Sequence, residues 1–215
     1  NAEVQKSHIA RTVIRSNRRF AYEEAQEVIE TGEGDYKEEI LALNDLAQKL
    51  RKRRFDNGCI NFDRHEVKFD IDESGKPIGV YFKVSKEANK LIEEFMLLAN
   101  RTVAEFIGKP KDGKKPKAFV YRVHDLPDPD KMASFAAFIT RFGYKIKTEG
   151  SKADLSKGIN SLLANVQGKP EENLVETIAI RAMAKAVYTT VNIGHYGLSF
   201  DYYTHFTSPI RRYPD

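Results

Sequence analysis

The hydrophobic period changes twice between residues 37 and 107, and this constrains the fold more than any other feature. From about Lys37 to Phe55 the apolar residues Ile40, Leu43, Leu46, Ala47 and Leu50 recur at steps of three and four, as on one face of a helix. The period then drops to two. Val67, Phe69 and Ile71 alternate with polar neighbours, as do Ile78, Val80, Phe82 and Val84, and Glu73-Ser74-Gly75-Lys76 lies between the runs. That is a β-hairpin. Ser85 is then placed to cap the longest helix, SKEANKLIEEFMLLANRTVAEFI. Neither an all-helical bundle nor an all-strand barrel accommodates this order.

The remaining segments extend the same class. SHIARTVIRS reads as a strand, Tyr22 to Thr31 as a short helix stopped by Gly32 and Gly34, and AFVYRV as a strand. Asp128-Pro129 reads as N-cap and first turn of a helix running to about Phe142, with helices near Asp154–Val166 and Glu171–Val187 following. GKPKDGKKPKA (108–118) is the one linker-like stretch. The expected class is α/β (α+β), with a small mixed sheet, a β-hairpin and packed helices.

Composition closes off several function classes. A content of 41% hydrophobic and 31% charged residues supports a buried core. Cys59 is the single cysteine, which excludes a disulfide scaffold or Cys-rich zinc site and fits a reducing, cytoplasmic location. No run approaches the roughly 18 apolar residues of a membrane span, and NAEVQKSHIA lacks the apolar core of a signal peptide, so no membrane partner is expected. A net charge of +4 only mildly favours a polyanionic partner.

Several residues are candidates for chemistry. On the long helix, Lys90, Glu94, Arg101 and Glu105 form a charged stripe read as the solvent face. Glu93 lies off it near Asn89 and Asn100, where it either meets a ligand or makes a structural hydrogen bond. Phe62, among the polar residues of CINFDRH, is either a stacking platform for a base or a half-buried strand aromatic. Tyr22 stands at a strand-to-helix junction, where its hydroxyl suits a sugar or a backbone carbonyl.

His8, His65, His124, His195 and His205 form no metal-spaced pair, and Asp125, Asp128 and Asp130 lack the glycine and later Glu of a calcium loop, so no metal site is expected. RKRR (51–54) is read as helix C-terminal dipole complementation. In THFTSPIRRYPD, the Thr207 and Ser208 hydroxyls, the free N–H groups of a starting helix, and Arg211 and Arg212 meet in one turn, the chemistry of a phosphate cradle. A capped helix with surface arginines is the plainer reading. The chain stops five residues after Ile210, where that helix should be growing, so a truncated domain is expected.

GHYGLSFDYYTHFTSPIRRYPD resembles the signature of the ribonuclease R and ribonuclease II family, the RNB exoribonuclease catalytic domain. RRFAY, GCINFDR, LIEEFMLLAN, YRVHDLPD and VETIAIRAMAKAVY resemble that family in the same order, so the likeness covers almost the whole chain, and RRYPD with GHYGL is nearer its ribonuclease R branch. The resemblance implies processive 3′-to-5′ hydrolysis of single-stranded RNA to nucleoside 5′-monophosphates, dependent on Mg²⁺ in the intact enzyme. It implies that Arg211 is catalytic, holding the scissile phosphate. Phe62 would stack on the terminal base, and Glu93 and Tyr22 would contact ribose hydroxyls. Thr207, Ser208 and Arg212 would complete the substrate site.

The family's aspartate-rich metal segment and its cold-shock-type and S1-type OB-like domains have no counterpart in these 215 residues. The expectation is therefore the C-terminal part of an RNB domain (1–215), inactive as a nuclease on its own. Its expected partners are the 3′ end of single-stranded RNA and RNA-decay or ribosome-associated proteins. The rival reading is a non-catalytic RNA-binding or scaffolding relative of the same fold.

Overall fold

The computed structural model describes residues 2–62, 66–109 and 117–213. The chain divides into two compact units, Asn1–Leu50 with Asp63–Phe95, and Arg51–Phe62 with Met96–Asp215.

The first unit contains α1 (Tyr22–Thr31), most of α2 (Lys37–Asp56), a hairpin and the start of α3 (Glu87–Gly108). Glu24 sets the start of α1 by accepting the Ala21 N–H at 2.7 Å, and Arg18 pairs with the same carboxylate at 2.9 Å. Gly32 ends the helix at φ 72°, where a side chain would be strained. The hairpin joins β1 (Glu66–Ile71) and β2 (Pro77–Lys83) as an antiparallel pair with a register shift at Asp70/Ile71. Its turn is built on Asp72, whose Oδ1 accepts from the Ser74 N–H, the Ser74 hydroxyl and the Lys76 N–H.

Two expectations fail here. SHIARTVIRS forms no strand and is exposed throughout, because loose alternation with no pairing partner leaves its backbone to water. Ser85 does not directly precede the long helix, which begins at Glu87, where the Lys86 N–H donates to Asn89 Oδ1. The basic stretch 108–118 lies largely outside the described residues.

The second unit holds the main core. Helices α4 (Pro129–Thr140), α5 (Lys152–Val166) and α6 (Glu172–Ala182) pack Met132, Phe135, Ile139, Ile159, Val166, Val175 and Ala179 almost out of contact with solvent. Asp128 caps α4 ahead of Pro129, and Ser151 with Asp154 forms a reciprocal capping box on α5. Strand β3 (Tyr121–Val123) pairs antiparallel with β4 (Val187–Thr189). Just beyond β3, His124 bridges parallel to His195, which pairs antiparallel with Phe200. Helices with these small pairs give the expected class. No helix among the described residues is long and apolar enough to cross a membrane.

Candidate functional site

The tail from Gly194 onward has almost no regular structure, and side-chain hydrogen bonds shape it. The Ser199 hydroxyl, at a left-handed residue (φ 56°), donates to the Asn57 carbonyl at 2.6 Å. The Thr204 hydroxyl, on a residue 2% exposed, donates to the Val120 carbonyl at 2.8 Å, and the Arg122 N–H donates to the Tyr203 carbonyl. The tail is thereby seated along β3. Next, Asn100 on α3 accepts from the Phe206 and Thr207 amides and from the Thr207 hydroxyl, at 2.8–3.1 Å. Ser208 follows in the left-handed region (φ 54°), and Pro209–Arg211 make a single 3₁₀ turn.

The expected helix start is therefore a short turn in which Ser208 makes no side-chain cap bond, and the Thr207 amide and hydroxyl are already committed to Asn100. The left-handed Ser208 explains the difference: an N-cap needs extended backbone. Arg211 is exposed, Arg212 is half-buried, and the Arg212 Nε is buried with no hydrogen-bond partner. Arg122 places its guanidinium 4.6 Å over the Tyr188 ring, and the Tyr188 hydroxyl shares a hydrogen bond with His205 Nδ1 at 2.6 Å. Among the described residues none of Arg122, Arg211 and Arg212 makes an ion pair.

An edge-to-face ladder of rings runs through the same region: Tyr188, His205, Tyr203, His195 and His124, with successive centroids 5.0–5.7 Å apart. Burial, reinforced by His124, pushes His195 down to about 3. Burial, reinforced by Arg212, Arg122 and Arg211, pushes His205 down to about 4. Burial also lowers His124. The imidazoles are neutral near pH 7. His124 Nδ1 accepts the Gly197 N–H, so its Nε2 carries the proton and donates to the Ala184 carbonyl at 2.9 Å.

Phe62 is half-buried and packs against the α4–α6 core. It follows a strap pinned by Asn160, which accepts the Asn61 N–H and donates to the Cys59 carbonyl. Cys59 is fully buried, with Arg54 Nη1 2.7 Å from its sulfur. Arg54, from the basic run read as a helix-end cap, is thus an interior residue. Tyr22 opens α1 of the first unit and is 47% exposed.

The face reading of α3 is corrected: Glu93 is the exposed carboxylate and Glu94, at 4%, the buried one. The buried row runs through Ala88, Leu91, Glu94, Leu97, Asn100 and Val103 at steps of three. It takes in two polar residues that a hydropathy wheel assigns elsewhere. The second unit thus holds Phe62, Thr207, Ser208, Arg211 and Arg212, and the first holds Tyr22 and Glu93. Sequence reading missed Arg122 and Asn160, whose only signal was a polar side chain in an otherwise apolar segment, and named Asn100 only as a neighbour of Glu93.

This fold and tail agree with a known domain. The RNB domain matches residues 1–215. The chain belongs to the RNB domain family. It is 37% identical to Ribonuclease R of Aquifex aeolicus over 96% of this chain and 29% of that protein. It is 36% identical to DIS3-like exonuclease 2 of Schizosaccharomyces pombe over 99% of this chain and 25% of that protein. The chain therefore spans under a third of the length of these relatives. Mycoplasma genitalium RNase R, solved in complex with ribose methylated single-stranded RNA, superposes with a TM-score of 0.76 at 27% identity, over 89% of this chain and 30% of that one. Yeast Ssd1, a pseudonuclease, shares the fold at a TM-score of 0.59 and 23% identity, over 88% of this RNB chain and 23% of its own.

Proposed function

We propose that this RNB chain is the C-terminal part of a 3′-to-5′ exoribonuclease catalytic domain that hydrolyses single-stranded RNA processively to nucleoside 5′-monophosphates. The observation that carries the reading is the arginine turn: Arg211 and Arg212, with Arg122 beside Tyr188, have no carboxylate among the described residues to neutralise them. Cations kept without acidic partners around a short turn suit an anionic ligand, and a phosphodiester supplies one. The RNA-bound RNase R of M. genitalium, at 27% identity, supports RNA as that ligand.

In this reading Arg211 is the catalytic residue. Its planar, permanently charged fork holds the scissile phosphate and offsets the charge that builds there during attack. Arg122 and Arg212 hold neighbouring phosphates. Phe62 stacks on the terminal base, and Tyr22 and Glu93 take ribose hydroxyls, the feature that separates RNA from DNA. Ser208 and Thr207 line the turn. Such a nuclease acts in the cytoplasm beside RNA-decay or ribosome-associated partners.

Mg²⁺ belongs to the proposed reaction, where it would activate water. Among the described residues no group of three His, Cys, Asp or Glu side chains converges on a metal position, so they do not fit the ion and no step is derived through it. The purified 215-residue chain is accordingly expected to release no mononucleotides.

The test is the full-length protein with 5′-labelled single-stranded RNA in Mg²⁺. Loss of the full-length band to a short 5′-labelled remnant without a ladder of intermediates, with unlabelled nucleoside 5′-monophosphates as the other product, is the expected result. RNA that is bound and left intact would instead establish the non-catalytic relative.

A further inference from the structure

Asn100 is 3% exposed and comes from α3, more than 100 residues before the segment it touches. Its Oδ1 accepts from the Phe206 N–H at 2.9 Å, the Thr207 N–H at 2.8 Å and the Thr207 hydroxyl at 3.1 Å. A carbonyl oxygen has two lone pairs, so three donors saturate it. Its Nδ2 donates to the Tyr203 hydroxyl at 3.3 Å, using the amide's other end on the same tail. One buried side chain thus fixes the backbone immediately before the arginine turn.

The residues after Thr207 make that grip consequential. Ser208 holds φ 54° and ψ 51°, a conformation that costs a residue with a Cβ and persists only where its surroundings impose it. Pro209 restricts the chain on the far side, and the Arg211 N–H closes back on the Ser208 carbonyl at 3.3 Å. With the amides at 206 and 207 released, Ser208 is free to relax to an ordinary backbone region. The turn bearing Arg211 would then swing.

We propose that Asn100 is a positioning residue that sets the place of the Arg211 guanidinium by holding the Phe206–Thr207 backbone. The inference rests on the proposed catalytic role of Arg211. A displacement of about 1 Å at a catalytic group lowers turnover about 10²-fold, so the latch should act on kcat and leave RNA binding nearly intact.

The test uses the full-length protein and single-stranded RNA. Asn100→Leu keeps the branching and the number of side-chain heavy atoms and removes the acceptor, whereas Asn100→Asp keeps an oxygen for all three donors. The expected result is a fall of roughly 10- to 100-fold in kcat for Asn100→Leu with KM changed less than about threefold. Asn100→Asp should recover most of that loss. Adding Asn100→Leu to Arg211→Ala should cost nothing further, since both act through one guanidinium.

Amide exchange at Phe206 and Thr207 should quicken in Asn100→Leu and stay slow in Asn100→Asp. Unchanged kcat in Asn100→Leu while Arg211→Ala is impaired overturns the inference and leaves the Arg211 reading standing. A loss shared equally by both Asn100 variants and additive with Arg211→Ala also overturns it, as a general structural defect. Full activity in Arg211→Ala removes the functional reading itself. Should Asn100→Leu fail to fold, Thr207→Val deletes one of the three donors. A lower kcat at unchanged KM then supports the latch, and wild-type kcat overturns it.

Discussion

The N-terminal segment of the first unit and the tail of the second are both rich in short-range turns, yet they are held in opposite ways. Around α1 and the hairpin turn most shaping bonds are local, Arg18 to Glu24, Ala21 to Glu24, and Asp72 to Ser74 and Lys76, and the buried Ala88 N–H to Gln26 Oε1 bond is the long-range exception. In the tail they reach across the chain, from Ser199 to Asn57, Thr204 to Val120 and Thr207 to Asn100. The hairpin also leaves Phe69, Ile71, Ile78 and Val80 more than half exposed, whereas the tail buries Tyr196, Tyr203 and Thr204 to 5% or less. Local bonds need only neighbouring residues. Long-range bonds need a finished core, and in return they place a backbone segment that no helix or strand could place.

If the tail depends on the helical core, a core cavity is the largest perturbation. Phe135→Ala, at a ring 1% exposed in the same cluster as Tyr196, should cost about 3–5 kcal/mol of unfolding free energy in a urea titration. It should also speed amide exchange in the tail. A tail that stays protected would break the comparison.

Arg211→Ala should separate chemistry from fold. We expect at least ~10²-fold slower turnover in the full-length enzyme, about 2.7 kcal/mol, with an unchanged melting temperature. Wild-type turnover would reject Arg211 as the catalytic group.

Acid should reach the two regions at different pH. His195 and His205 are lowered from 6.5 to about 3 and about 4. Between those values the unfolded chain binds more protons than the folded one, so stability is flat above pH 6.5 and falls as pH drops below it. The Glu24 and Asp72 carboxylates are also lowered, by their hydrogen bonds to Ala21 and Arg18 and to Ser74 and Lys76. Their contribution is present above the ordinary values of 4.5 and 3.8 and is lost only below them. Protection factors, corrected for the slowing of intrinsic exchange with falling pH, should therefore drop first in the tail between about pH 7 and about pH 4. Simultaneous loss in both regions would show that the ladder is not what acid attacks.

The smallest effect belongs to a local bond. Ser151→Ala removes one half of the α5 capping box and should cost about 1 kcal/mol by thermal melting, with the tail undisturbed. A much larger cost would mean that local caps here carry tertiary weight.

What the amino-acid order determined by itself was whatever depends on neighbours. The period changes gave α2, the hairpin and α3; Asp128-Pro129 gave the start of α4; Gly32 gave the end of α1. The tail motif with its arginines was also legible as a pattern. Tertiary structure decided which face of α3 is buried, because a row at steps of three can bury Glu94 and Asn100 while leaving Ile92 at 43% exposure. It decided that Arg54 is interior beside Cys59, and that Arg122, Arg211 and Arg212 stand without a carboxylate partner among the described residues. It also decided that Asn100 holds the backbone ahead of the arginine turn. A hydropathy pattern records how much a side chain costs to bury, and it is silent on a partner about 100 residues away that makes a polar side chain worth burying.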